Sequence, residues 1–250
     1  MAKNKSPSTQ METAKAIYER LSSDREPYVT RAEECAKYTI PALFPKISDN
    51  GSTVYATPYQ SLGARGVNNL ASKLMLALFP ANAPFFRFSI ADDPKKGLQQ
   101  DPKVLAETEK ALGELERKVM RNIESNQIRV TASEAIKNII VSGNGLLFLP
   151  PESGGMKFYR LNNYVIQRDS LGNVIRIIAV DKVAFVTLPQ EMQTLVAKDK
   201  EYKPEEEVVI YTHIYAELDQ FITYQECEGE TLPGTEGSYP KNKTPWIPIR

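Results

Sequence analysis

Apolar positions along the first 140 residues recur at helical spacing, and those of the last 105 recur at strand spacing. Ala14, Ile17, Tyr18 and Leu21 fall on one face of a helix over Met11–Ser22. Asp24 and Pro27 read as a break and restart, with a second helix over Tyr28–Tyr38 that Pro41 and Pro45 end. The stretch to Tyr59 is loop-like. Gln60–Phe79 carries the strongest helical pattern. Leu62, Leu70, Leu74 and Leu78 form one stripe joined by Val67, Ala71 and Met75, and Pro80 and Pro84 stop it. FFRFSI (Phe85–Ile90) alternates as a strand would. A long helix follows over Pro102–Ser125, with Leu105, Leu112, Leu115, Val119 and Ile123 spaced three, four or seven apart. At 1.5 Å per residue it spans roughly 36 Å. Another helix covers Val130–Val141, and Gly143 and Gly145 are its stop signals.

After Gly145 the texture changes to β-branched and aromatic runs: LLFLP, MKFYRL, YVIQRD, NVIRIIAV, VVIYTHIY and Phe221–Cys227. Asp169–Asn173 is a turn between two of them, and a short helix over Pro189–Ala197 interrupts the series. The last run, Trp246–Arg250, adds a strand at the terminus and implies a missing partner, so the chain reads as a piece of a longer protein or its ordered part. The pattern predicts an α+β fold: a polar, mobile segment 1–10, a mainly helical part 11–145 and a mostly antiparallel β-rich part 146–250.

Charge changes this picture locally. Formal net charge is zero, so the chain as a whole is not drawn to nucleic acid. Residues 201–236 nevertheless hold ten acids against one base, Lys203. Such a stretch repels phosphate and reads as a solvated face or an acidic docking surface. The N-terminus has no apolar core of the signal-peptide kind, no apolar run reaches membrane length, and Cys35 and Cys227 form no disulfide framework or metal spacing. A reducing compartment is the default expectation.

The residues that carry chemistry are sparse. His213 is the only histidine. Nucleophilic catalysis through an imidazole would have to use it, and its alternating strand context favours packing. Asp92-Asp93, before Pro94 and Lys95-Lys96, reads as an exposed helix-start loop and not a metal pair. No phosphate-binding loop is present. Gly63 and Gly66 lie inside a helix, where they allow close packing, and Gly143-Asn144-Gly145 is a helix-to-strand turn. Arg117, Lys118, Arg121 and Arg129 cluster near the end of the long helix, interleaved with Glu114, Glu116 and Glu124. Arg160, Arg168 and Arg176 lie on strands. A mixed-charge solvated face fits these better than a DNA groove, and no nucleic-acid-binding residue is assigned. The residues therefore predict no enzyme, no catalytic residue, no cofactor and no metal.

Five longer segments stand out: EPYVTRAEECAKYTIPALFPKISDN (Glu26–Asn50), GARGVNNLASKLMLALFP (Gly63–Pro80), YRLNNYVIQRDSLGNV (Tyr159–Val174), VIYTHIY (Val209–Tyr215) and PWIPIR (Pro245–Arg250). These segments resemble the head-to-tail connector, or portal, proteins of short-tailed phages of the Autographiviridae type. They occur in the family's order and span nearly the whole chain. The resemblance implies a virion structural protein at the portal vertex, present in the host cytoplasm during assembly. It implies a homo-oligomeric ring of about twelve copies with head-to-tail contacts, through which double-stranded DNA passes during packaging and ejection. The implied partners are capsid protein, scaffolding protein, the terminase motor, the tail adaptor and tail proteins, and internal core proteins. The part present resembles the wing region, with stem, clip and crown beyond Arg250. A tail adaptor or scaffold component is the alternative, and an enzyme would require two converging buried carboxylates.

Overall fold

The computed structural model describes residues 12–46, 49, 52–80, 83–89, 102–151, 155–198 and 200–250. The segment 1–10, Ile90 and the Asp92–Lys96 loop lie outside them. The architecture is α+β, and among the described residues every strand pair is antiparallel. The chain forms two compact units, each drawn from non-contiguous segments: 1–30 with 161–244, and 31–160 with 245–250.

The first unit is built on strands β3 (Tyr164–Arg168), β4 (Val174–Ala184), β5 (Glu207–Glu217) and β6 (Gln220–Cys227) in that spatial order. β7 (Glu230–Thr231) and β8 (Gly237–Pro240) both pair with β6, along different parts of its length. Strand periodicity sends alternate residues to opposite faces, and both faces are covered. On one, Ile17, Tyr18, Val165 and Ile178 are buried together, with Leu21, Val180 and Tyr211 around them. The first two come from α1 (Ala14–Tyr38). On the other, Leu188, Val196, Val208, Ile210, Cys227 and Leu232 form a cluster flanked by Met192 and Leu195 of α5 (Gln190–Ala197). Each such aliphatic side chain contributes about 1.5–3 kcal/mol when removed from water.

Polar clamps fix α1 at two points. Its first turn holds no acidic residue, yet the Glu226 carboxylate on β6, only 4% exposed, accepts from the Ala14 N–H at 2.7 Å and the Lys15 N–H at 3.4 Å. A buried carboxylate needs such partners, and the positive end of a helix supplies them. Three turns on, the Arg25 guanidinium donates to the carbonyls of Leu161, Asn162 and Tyr164, and the Tyr18 hydroxyl donates to the Asn162 carbonyl at 3.0 Å. α1 is one helix through Pro27, not two. Proline removes one hydrogen bond from a helix interior. Burial on either side, Ile17 and Tyr18 before it and Ala32 and Ala36 after it, outweighs that loss.

The second unit contains α2 (Leu62–Leu78), α3 (Pro102–Ser125), α4 (Ile128–Ser142) and a sheet ordered β2 (Lys157–Tyr159), β1 (Gly145–Phe148), β9 (Trp246–Ile249). α2 packs on α4, and the fully buried side chains of both are small or polar: Val67 and Ala71, and Ala132, Ala135, Asn138 and Val141. The expected apolar stripe of α2 is split: Val67 and Ala71 are buried and Leu74 and Met75 half-buried, whereas Leu62, Leu70 and Leu78 are exposed. Gly143 closes α4 in the left-handed conformation. Phe148 stacks on Trp246 at 4.2 Å between ring centroids.

FFRFSI is not a strand over its described part, 85–89. Its alternation meets no partner edge. The Phe88 N–H donates instead to the Glu116 carboxylate at 2.7 Å, and Phe79, Phe85, Phe86 and Phe88 pack ring edge to ring face along the chain.

The two glycines of α2 differ. A Cβ on Gly63 would sit 2.3 Å from the Tyr38 carbonyl oxygen, whereas one on Gly66 meets nothing within 4 Å. Gly63→Ala is therefore expected to destabilise by more than about 1 kcal/mol, and Gly66→Ala to be neutral or stabilising by up to about 1 kcal/mol through helix propensity. Urea titration of both variants checks this, and equal effects would contradict the close approach. Glu226→Ala, which orphans the first N–H groups of α1, is expected to lower stability by about 1–3 kcal/mol. Glu226→Gln, which keeps one acceptor, should lose less; the same titration reads the order.

Candidate functional site

The residues that could carry chemistry lie apart. His213 is on β5, opposite Ile178 of β4 and Tyr224 of β6. It is 4% exposed; its Nδ1 lies 2.9 Å from the Tyr224 hydroxyl, and its ring packs on Tyr215 and Tyr224. Burial, aided by the positive charge of Arg176, pushes the imidazole down to about 4. It is therefore neutral at physiological pH, packed as a polar aromatic group. Cys227 is buried on the opposite face of the same sheet, and burial, with Glu228 and Glu226 nearby, pushes its thiol up to about 11. A thiol so raised is not a nucleophile at neutral pH. Cys35 is exposed. Among the described residues no group of three or more His, Cys, Asp or Glu side chains is placed to hold a metal ion, and no helix is long and apolar enough to cross a membrane.

The arginines singled out in the sequence are largely engaged with their own unit. Arg129 donates to the carbonyls of Phe79 and Pro80, just past the end of α2, and lies 3.6 Å from Glu124. Arg160 pairs with Glu134 at 2.8 Å, Arg168 donates to the Gly172 carbonyl at 2.8 Å, and Arg121 turns back to the Arg117 carbonyl. Asp169 organises the β3–β4 turn by accepting from Leu171 and Asn173, and these hydrogen bonds hold its carboxyl below the usual range.

Among the described residues a surface stands out. Twelve of the 17 exposed large apolar side chains among the described residues belong to the second unit. α2 contributes Leu62, Leu70, Leu76 and Leu78. None of the described side chains of α3 is fully buried, so its stripe of Leu105, Leu112, Leu115, Val119 and Ile123 stays partly or wholly open to solvent. Apolar exposure on this scale is characteristic of an interaction surface. Charge divides along the same line. The first unit has 13 lysines and arginines against 18 acids, net −5; the second has 18 against 13, net +5. Neither the apolar asymmetry nor the charge division was legible before the two units were known, because both units are discontinuous in sequence.

The buried imidazole makes stability depend on pH. An unfolded histidine binds its proton near pH 6.5, and the folded one only near 4. The unfolded state therefore holds more protons between these values, so stability falls as pH drops from about 6.5 toward 4, by up to about 3 kcal/mol. Subtracting the unfolding free energies of His213→Gln from those of the native chain across this range isolates the effect. Parallel curves would mean that the histidine is not held neutral.

Comparison with known proteins identifies the family. Residues 11–250 match the family described as bacteriophage head to tail connecting protein. The chain is 50% identical over 244 residues to the portal protein of Escherichia phage T7, covering 95% of this chain and 45% of that protein. It is 47% identical over 256 residues to the portal protein of Enterobacteria phage T3, covering 100% of this chain and 48% of that one. It is 31% identical over 238 residues to the portal protein of Enterobacteria phage SP6, covering 93% and 45%. The chain spans about half the length of these relatives. It belongs to the bacteriophage head-to-tail connecting protein family.

Proposed function

We propose that this chain is the wing portion of a portal subunit, with stem, clip and crown in the remainder of the full-length protein. About twelve copies form a ring at one capsid vertex. Double-stranded DNA passes through the ring during packaging and ejection, and the tail attaches to it. Capsid and scaffolding proteins, the terminase motor, the tail adaptor and tail proteins, and internal core proteins are its partners, in the host cytoplasm during assembly and then in the virion. The observation that carries this reading is family similarity running from residue 11 to residue 250, unbroken across both units.

The physical features fit. The one histidine is buried and neutral, and one of the two cysteines is a buried, protonated thiol, as expected of a component that leaves ATP hydrolysis to a motor. A channel for sliding DNA must not grip phosphate through many cations, which would make transport salt-sensitive. Arg129, Arg160 and Arg168 each make a hydrogen bond inside their own units. The open apolar faces of α2 and α3 supply surface for neighbours.

Negative-stain images of the full-length protein should show closed rings, and sedimentation velocity should give one large species. Monomers alone at micromolar concentration would overturn the reading.

A further inference from the structure

We infer that the tip of the β5–β6 hairpin, Glu217-Leu218-Asp219, docks on the exposed face of α2 in a second copy of this chain. The inference deepens the ring proposed above and rests on it.

The tip is unfavourable for an isolated subunit. Glu217 pairs with Gln220, leaving a two-residue loop of Leu218 and Asp219. Leu218 has φ of 49°, in the left-handed region where a bulky side chain is strained, and is 89% exposed. The neighbouring β6–β7 turn, Glu228-Gly229, holds a polar side chain, Glu228, at the matching position with φ of 50° and a glycine after it at φ 82°. Glycine or asparagine at 218 would make the loop with neither strain nor exposed apolar surface. The tip is also held: the Lys241 N–H donates to the Asp219 carbonyl at 3.1 Å. The result is a fixed leucine knob between two exposed carboxylates.

α2 offers the complementary surface. With Val67 and Ala71 turned inward, helical periodicity places Leu62, Arg65, Gly66, Leu70, Lys73 and Leu76 toward solvent. The leucines are exposed, and Gly66 has open space where a Cβ would stand, a notch in the ridge. Residues 50–91 contain three bases, Arg65, Lys73 and Arg87, and no acid. Arg65 and Lys73 are about 12 Å apart along the axis, so a leucine seated between them brings its flanking carboxylates within reach of both heads. The units reinforce the pairing. The first unit is net −5 and the second net +5, so contact between unlike units of successive copies is attractive and contact between like units is not. That preference selects the head-to-tail arrangement a ring requires.

The test uses full-length subunits with Cys35→Ser as background. One preparation carries Leu218→Cys and the other Gly66→Cys. Mild oxidation of the mixture should yield a disulfide-linked pair that neither preparation forms alone. Rings that assemble without this cross-link would overturn the contact and leave the ring standing; a wild-type protein that never assembles would overturn both. Glu217→Lys with Asp219→Lys should weaken assembly by at least about tenfold, and adding Arg65→Glu with Lys73→Glu should restore most of it. Failure of that restoration, with the variants folded by circular dichroism, counts against the contact. Leu218→Gly separates the roles: it should leave the melting temperature of the subunit unchanged or raised while reducing assembly. Undiminished assembly of that variant would overturn the proposal.

Discussion

The strapping of α1 across the six-stranded sheet sets the form of the first unit. An apolar helix face laid on a sheet is free to slide or rotate, because burial alone is non-directional. Here the Glu226 carboxylate holds the helix start over β6, and Arg25 and Tyr18 hold the turn that leads into β3. Between these clamps, Ile17 and Tyr18 meet Val165 and Ile178. One sheet face is thereby assigned to α1, which leaves the other to the cluster around α5. The arrangement is high-stakes, since a carboxylate as buried as Glu226 is tolerable only while the helix end stays in place.

Much of this was legible in the sequence, and the failures share a cause. The ends of α2, α3 and α4 follow from 3.6-residue periodicity bounded by proline and glycine, and β3 to β6 from β-branched runs separated by turn residues. Signals that depend on a distant partner were not legible. Pro27 reads as a break because its neighbours in sequence do not reveal that Ala32 and Ala36 will be buried. Phe85–Ser89 alternates like a strand but finds no edge to pair with. Glu226 sits in an acidic stretch that reads as solvated, and only the fold shows that it caps a helix 212 positions away. β7 and β8, of two and four residues, are too short to carry a period and exist because β6 presents an edge.

The candidate surface shows the same limit from the other side. Periodicity located the leucines of α2 correctly but not their direction. Tight helix packing on α4 is achieved with Val67, Ala71, Ala132 and Ala135, because small side chains let backbones approach. Leu62, Leu70, Leu76 and Leu78 are left on the outside, where a monomer gains nothing from them. A stripe of apolar residues therefore reports where apolar surface is, not what will cover it.

Sequence identity and physical asymmetry then bear on different questions. Similarity over residues 11–250 assigns the family but does not distinguish one face of the chain from another. The asymmetry does distinguish them. The first unit buries its sheet on both faces, has two clamps on its helix, and exposes five large apolar side chains. The second leaves two helices half-open and carries the opposite charge. In a closed homomeric ring every copy must present two different surfaces that fit one another. A chain whose two units differ in both charge and apolar exposure offers two unlike surfaces, and a uniform chain would not. The exposed Leu218 belongs to the proposed contact: an apolar side chain at a hairpin tip is removed from water only where a neighbour covers it.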